Sequence, residues 1–309
     1  MAAKAPEAAK DEAEEIDVNW VYKNCSYWVY ILAKNPKHRR FPIMTSICFL
    51  TCVIVFFGAD GGTWFGRDSE WYSSIVAMVS HVNQEHLWSN MVMLVLLGYF
   101  FEFTEGILVL LCVLWGGGLV GFALHGIAKP NVRVRGASGA IYGVMWAQFS
   151  LLALNWREMP ARWVRLIICL LLLTSDVAIY WFWRRPGISY SSHCFGALGG
   201  LAVSLVFGQN VKLRKWEVSL VWFGVALYAT LVVIGLAGAE EAGGHPLYAS
   251  AFAAALMPAL VIRAALTTQR AWNLKTCCRA APAGKDDPIA AALEEGNRHP
   301  GIQTQVQTL

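Results

Sequence analysis

The chain has 309 residues, 56% of them hydrophobic and only 15% charged, against about 25% charged in soluble domains, so the composition argues against a soluble globule and for a membrane protein. A formal net charge of +4 does not argue for nucleic acid, because no basic face interleaved with aromatics and no nucleic-acid motif accompanies it. The eight cysteines form no CxxC framework and lie mostly inside apolar runs, so neither a disulfide scaffold nor a zinc site is indicated.

In chain order, residues 1–17 form an acidic, polar tail with the character of neither a signal peptide nor a transit peptide. Residues 18–41 read as an interfacial amphipathic segment. It is rich in Trp and Tyr, which favour the headgroup level, and closes on Lys34, Lys37, Arg39 and Arg40. The first apolar span covers 42–58. A loop at 59–72 and a short amphipathic stretch at 73–80 follow. The second span, 87–103, and the third, 107–125, are separated only by Thr104, Glu105 and Gly106, which predicts a tight helical hairpin. After a loop at 126–136, the fourth span begins at Ser138 and ends near 155. The fifth runs over 163–183, is broken by Arg184, Arg185, Pro186 and Gly187, and leads to a sixth at 193–209. A basic loop and a seventh span occupy 210–238. Residues 239–266 hold a loop and a possible eighth span, and 267–309 read as a polar C-terminal tail. The predicted fold class is an all-α, polytopic transmembrane helical bundle, with a six-span core at 42–209.

Charge sets an orientation. With a cytosolic N-terminus, Lys34, Lys37, Arg39, Arg40, Arg157, Arg162, Arg165, Lys212, Arg214 and Lys215 fall on the cytosolic side. Arg67, Lys129, Arg133, Arg135, Arg184 and Arg185 fall opposite. The positive-inside rule favours that arrangement.

This topology brings His86 and Asn90 at the second span, Ser138 at the fourth and His193 at the sixth to one face of the membrane, the non-cytosolic one. Intramembrane polar residues of this kind are functional candidates by default. A serine hydroxyl is a weak nucleophile until a base takes its proton, and histidine titrates in the right range. Acyl transfer also makes an oxyanion. The Asn90 amide, the His86 imidazole (i, i+4 on one helix face) and the Ser138 backbone N–H at a helix start would supply donors. The blander reading makes Ser138 a helix cap and the others buried glue between helices.

The stretch 136–143, GASGAIYG, resembles the GxSG motif of rhomboid intramembrane serine proteases, with Tyr142 four residues after the serine. HCFGALGG at 193–200 is similar to their HxxGxxxG motif. His81 and the 86–90 segment HLWSN resemble their second-helix HxxxN element, and Glu102 stands where the family usually closes that helix with Glu. The resemblance covers about 42–238. It implies a Ser138–His193 dyad, His86 and Asn90 as oxyanion donors, and Tyr142 packed on the His193 ring. Gly136, Gly139, Gly196 and Gly200 are its supporting glycines. It implies substrates that are single-span membrane proteins, cut near the non-cytosolic face, and no cofactor. Segments 154–157 and 210–217 further resemble animal secretase-type members. Those release growth-factor-like ligands in the Golgi, plasma membrane or other secretory-pathway membranes.

The first loop departs from the family. Trp64, Arg67 and Trp71 are present, but the usual adjacent Trp-Arg pair is not, and Ser192 replaces the usual Ala before the histidine. One rival reading is a catalytically inactive rhomboid-like protein that binds transmembrane clients for trafficking or degradation; such relatives usually lose the serine or the histidine. A transporter is a second rival, but no internal repeat is visible. Asp176 in the fifth span is read as paired across helices, and Cys277 and Cys278 as candidates for palmitoylation.

Overall fold

The computed structural model describes residues 42–279 except 68, 158, 160–161, 183–187, 211–212 and 243–244, and except the side chains of 176, 179 and 273–279. The readings for 1–41 and 280–309, and for the side chains of Asp176, Cys277 and Cys278, lie outside the described residues. Two units are distinguished, 1–265 and 266–309. The bundle and the candidate site belong to the first.

The described helices are α1 (Ile43–Gly58), α2 (Ser73–Val79), α3 (Gln84–Glu105), α4 (Ile107–Ala128), α5 (Ser138–Leu154), α6 (Arg162–Phe182), α7 (Tyr190–Phe207), α8 (Lys215–Ala237), α9 (His245–Ala254) and α10 (Met257–Arg279). Among the described residues, six helical stretches are long and apolar enough to cross a membrane: α3, α4, α6, α7, α8 and the α9–α10 stretch His245–Trp272. α1 and α5 are apolar but shorter. This is an all-α polytopic bundle, and the chain is an integral membrane protein.

Local sequence sets the helix ends. Asn83 caps α3, its side chain accepting the His86 N–H at 2.8 Å. Gly106 separates α3 from α4 at φ 90. Glu217 accepts the Arg214 N–H at 2.5 Å at the start of α8.

α4, α5 and α7 form the centre of the bundle. Glycines let their backbones touch. A methyl on Gly117 would lie 2.9 Å from the Gly196 carbonyl oxygen, and methyls on Gly196 and Gly200 would overlap the backbones of Gly139 and Gly143. Small-residue contacts of this kind replace the hydrophobic driving force that lipid removes. α6 packs chiefly on α5 and exposes Trp163, Val164, Ile167, Leu171, Trp181 and Phe182, an apolar face suited to lipid.

Buried polar residues gather at both ends. At one end, Glu102 of α3 accepts from Met44 N, Thr45 N and Thr45 Oγ1, each at 2.7 Å, and so holds the start of α1. There too, Glu105 accepts the Gln209 N–H at 2.6 Å, and Asn155 Nδ2 donates to the Gln209 carbonyl at 2.9 Å. The starts of α3, α5 and α7 lie at the other end.

Three expectations need correction. α7 begins at Tyr190, not His193, because the hydroxyl-rich turn before the histidine is already helical. The predicted span 248–266 is two helices interrupted at 255–256, just before Pro258, which cannot donate within a helix. Residues 267–279, read as polar tail, continue α10.

Candidate active site

Two loops position Ser138. Phe65 and Val134 exchange backbone hydrogen bonds of 2.8 Å, which ties the loop after α1 to the loop before α5. The Arg135 guanidinium lies 4.2 Å from the centre of the Trp64 ring, and its Nη1 donates to the Gly61 and Gly62 carbonyls at 3.3 and 3.4 Å. The first loop is therefore anchored by a Trp and an Arg far apart in sequence. No adjacent pair is needed, and spacing within the loop gave no sign of it.

The Gly136 N–H donates to the Ala77 carbonyl at 2.9 Å. Gly136 adopts φ +130, and a methyl there would stand 2.7 Å from His86 Cε1 and 3.0 Å from His86 Nε2. Both the backbone angle and the close approach demand glycine. Gly139 behaves differently. It faces Ser192 Oγ and the Ser192 carbonyl, not His86 and Asn90, so its small size serves the α5–α7 contact rather than the oxyanion donors.

The capping reading of Ser138 fails. Ala137 holds the cap position of α5 and no side chain caps it. Ser138 Oγ instead hydrogen-bonds His193 Nε2 at 2.8 Å. His193 sits in the first turn of α7, its N–H donating to the Ser189 carbonyl at 3.2 Å. Tyr142, one turn into α5, stacks on the imidazole with ring centres 4.2 Å apart and planes at 15°. The serine thus meets the ring at its edge and the tyrosine at its face, which fixes its orientation.

His86 and Asn90 lie one turn apart on α3. His86 Nδ1 and Asn90 Nδ2 are buried without a protein partner, and Asn90 is 7% exposed. A buried polar group with no partner costs about 1–3 kcal/mol, so proteins keep few of them. The first N–H groups of α5, Ser138 among them, have no acceptor within the helix. His81 precedes α3, is fully buried, and lies 5.2 Å from the His86 ring. Burial, and secondarily the neighbouring His86, lowers its pKa to about 4, so it is neutral near pH 7.

Of the residues expected to support the site, Gly196 and Gly200 pack α7 against α5 behind the dyad. Glu102 lies elsewhere. At about 1.5 Å per residue it is ~24 Å along α3 from His86, among the contacts that hold α1.

Sequence reasoning missed His125. It is 1% exposed near the end of α4. Its Nδ1 lies 2.7 Å from Ser191 Oγ and 2.8 Å from Ser189 Oγ, and its Nε2 lies 3.1 Å from the Val132 carbonyl oxygen. The available signal was a histidine ending an apolar run, together with the hydroxyl cluster just before His193.

Comparison with known proteins finds a family-model match and several relatives. The Rhomboid domain family model matches residues 68–210. The chain is 28% identical over 164 residues to Rhomboid-related protein 1 of Caenorhabditis elegans, an alignment covering 49% of this chain and 44% of that protein. It is 25% identical over 178 residues to Rhomboid-related protein 2 of Mus musculus, covering 55% and 59%. It is also 25% identical over 166 residues to Rhomboid-related protein 3 of Homo sapiens, covering 50% and 41%. The matched region thus spans about half the length of these relatives. Ordered motifs on separate helices, their convergence in space and the domain match together identify a Rhomboid domain at residues 68–210 of this chain.

Proposed function

We propose that this protein is an intramembrane serine endopeptidase that hydrolyses peptide bonds in or near the transmembrane segments of single-span membrane proteins. The observation that carries the reading is the 2.8 Å contact between Ser138 Oγ and His193 Nε2. Both groups of the dyad are present and in register, which favours an enzyme over an inactive client-binding relative.

In this mechanism His193 Nε2 takes the Ser138 hydroxyl proton as Oγ attacks the scissile carbonyl carbon. The carbonyl oxygen becomes an oxyanion held by the Ser138 N–H, Asn90 Nδ2 and His86. Each donor of this kind is worth about 10²–10³ in turnover. Collapse breaks the C–N bond, and His193 gives its proton to the leaving amine. His193 next deprotonates a water, which attacks the acyl-serine ester. The second collapse returns the proton to Ser138 Oγ and releases the new carboxylate.

The 17-residue α5 rises about 25 Å, less than the ~30 Å hydrocarbon thickness. A nucleophile at its first residue is thus suited to cutting below the membrane surface. A peptide bond inside a helix is shielded, so substrates with Gly or Pro near the cut, which unwind more cheaply, are preferred. With a cytosolic N-terminus the cut lies on the non-cytosolic side, and release of growth-factor-like ectodomains within secretory-pathway membranes follows.

The test is reconstitution of the purified protein with several helix-destabilised single-span reporters. Wild type releases a fragment and Ser138→Ala does not. Equal cleavage by both, or none by wild type, defeats the proposal.

A further inference from the structure

We propose that His125 is a positioning residue that sets the register of the Ser138–His193 pair. The inference rests on the protease reading above.

The His125 ring stands where three segments meet. It is carried near the end of α4 and is almost wholly buried. Its Nε2, 3.1 Å from the Val132 carbonyl oxygen, faces a group that only accepts, so Nε2 carries the hydrogen and donates. That leaves Nδ1 as the acceptor in the neutral ring, and two hydroxyls reach it: Ser191 Oγ at 2.7 Å and Ser189 Oγ at 2.8 Å. The tautomer is thereby fixed by its partners.

These partners are the lead-ins to the dyad. Val132 belongs to the loop that ends at Ser138. Ser189 is the cap residue of α7, and its carbonyl accepts the His193 N–H at 3.2 Å. Ser191 lies in the same first turn as His193. One ring therefore ties the strand of chain that delivers the nucleophile to the turn that delivers the base. Glycine packing sets how close the helices lie, at Gly117, Gly143, Gly196 and Gly200 and, in the first turn of α7 itself, where Gly121 and Gly139 close on Ser192. Those contacts are apolar and do not reach the loop before α5; the His125 ring adds the polar link between that loop and the turn. With the ring removed, that turn has no polar link to α4 through these serines, and His193 loses its fixed distance to Ser138. Displacements of about 1 Å in a reacting pair cost on the order of a hundredfold in rate.

The experiment uses the full-length protein in proteoliposomes. It compares wild type, His125→Phe, His125→Gln and the double variant Ser189→Ala/Ser191→Ala. Three readings are taken: reporter cleavage resolved into kcat and KM, the rate at which a fluorophosphonate probe labels Ser138, and thermal unfolding. His125→Phe and the serine double variant each lose about a hundredfold in kcat with little change in KM. Probe labelling slows in parallel, and in the triple variant His125→Phe/Ser189→Ala/Ser191→Ala the two losses do not multiply, because they break one linkage. His125→Gln, which keeps an acceptor and a donor, recovers part of the rate. Wild-type labelling and turnover in a folded His125→Phe protein overturn the inference, as do losses that multiply. If His125→Phe does not fold, the serine double variant decides alone, since it leaves the ring in place. A wild type that neither cleaves nor labels overturns the protease reading and this inference with it.

Discussion

Replacing Gly136 with alanine tests the oxyanion assignment more directly than removing a donor, because the perturbation is a single methyl at a known place. The added Cβ would stand 2.7 Å from His86 Cε1 and 3.0 Å from Nε2. Non-bonded carbons rest about 3.5–4.0 Å apart, so the imidazole or the loop must yield by about 1 Å. A shift of that size costs on the order of a hundredfold in rate, and full loss of one oxyanion donor about 10²–10³. The φ of +130 adds backbone strain of about 1–3 kcal/mol. Gly136→Ala is thus expected to remain folded with a lowered unfolding temperature, and to lose two to three orders of magnitude in kcat (roughly 3–4 kcal/mol of barrier). Initial rates in proteoliposomes and fluorophosphonate labelling of Ser138 measure the loss. Gly58→Ala serves as the control. It meets nothing within 4 Å and should cleave as wild type does. A folded Gly136→Ala protein that cleaves at the wild-type rate refutes the placement of His86 beside the reacting carbonyl.

Two further outcomes follow from the ends of α3. Glu102→Gln turns an amide towards donors that now share a carboxylate, Met44 N and Thr45 N; loss of these charge-assisted bonds should cost about 2–3 kcal/mol in unfolding measurements, while kcat of the folded fraction is unchanged, because Glu102 is ~24 Å from His86 along the helix. His81 has a folded pKa near 4, against 6.5 unperturbed. The unfolded chain therefore binds its proton first as pH falls. The stability this contributes is fully present above about 6.5, is lost as pH drops toward 4, and stays lost below. Unfolding temperature in micelles should decline across that window, and His81→Gln should flatten the decline.

The parts legible in the sequence were those encoded by local pattern. Apolar length gave the helices, and Gly106 between two apolar runs gave the α3–α4 hairpin. The tie of Ser138 to His193 was legible because each residue opens a span on the same side, so topology alone brings them to one depth. The parts that stayed hidden depend on partners far apart in sequence. Nothing near Arg135 marks Trp64 as its partner, since that contact exists only after the two loops pair through Phe65 and Val134. Gly139 read only as a supporting glycine from its place in the motif. Its direction is set by helix phase, which turns it towards Ser192. Pattern can say that a glycine is required, but only packing says what approaches it.

The two polar ends of the bundle divide the work between stability and chemistry. At one end the carboxylates of Glu102 and Glu105 are paired with backbone N–H groups of Met44, Thr45 and Gln209. They lock α1 and α7 to α3, and their polar atoms are used up in doing so. At the other end, His86 Nδ1, Asn90 Nδ2 and Ser192 Oγ are buried without protein partners, which lowers stability. A buried donor left without a protein acceptor is tolerated where a reaction supplies the acceptor. The site end holds its geometry through its own ties, Phe65 to Val134 and His125 to Val132, Ser189 and Ser191, and leaves only the reacting groups open. Substitutions at the first should therefore move unfolding before they move turnover, and substitutions at the second should do the reverse.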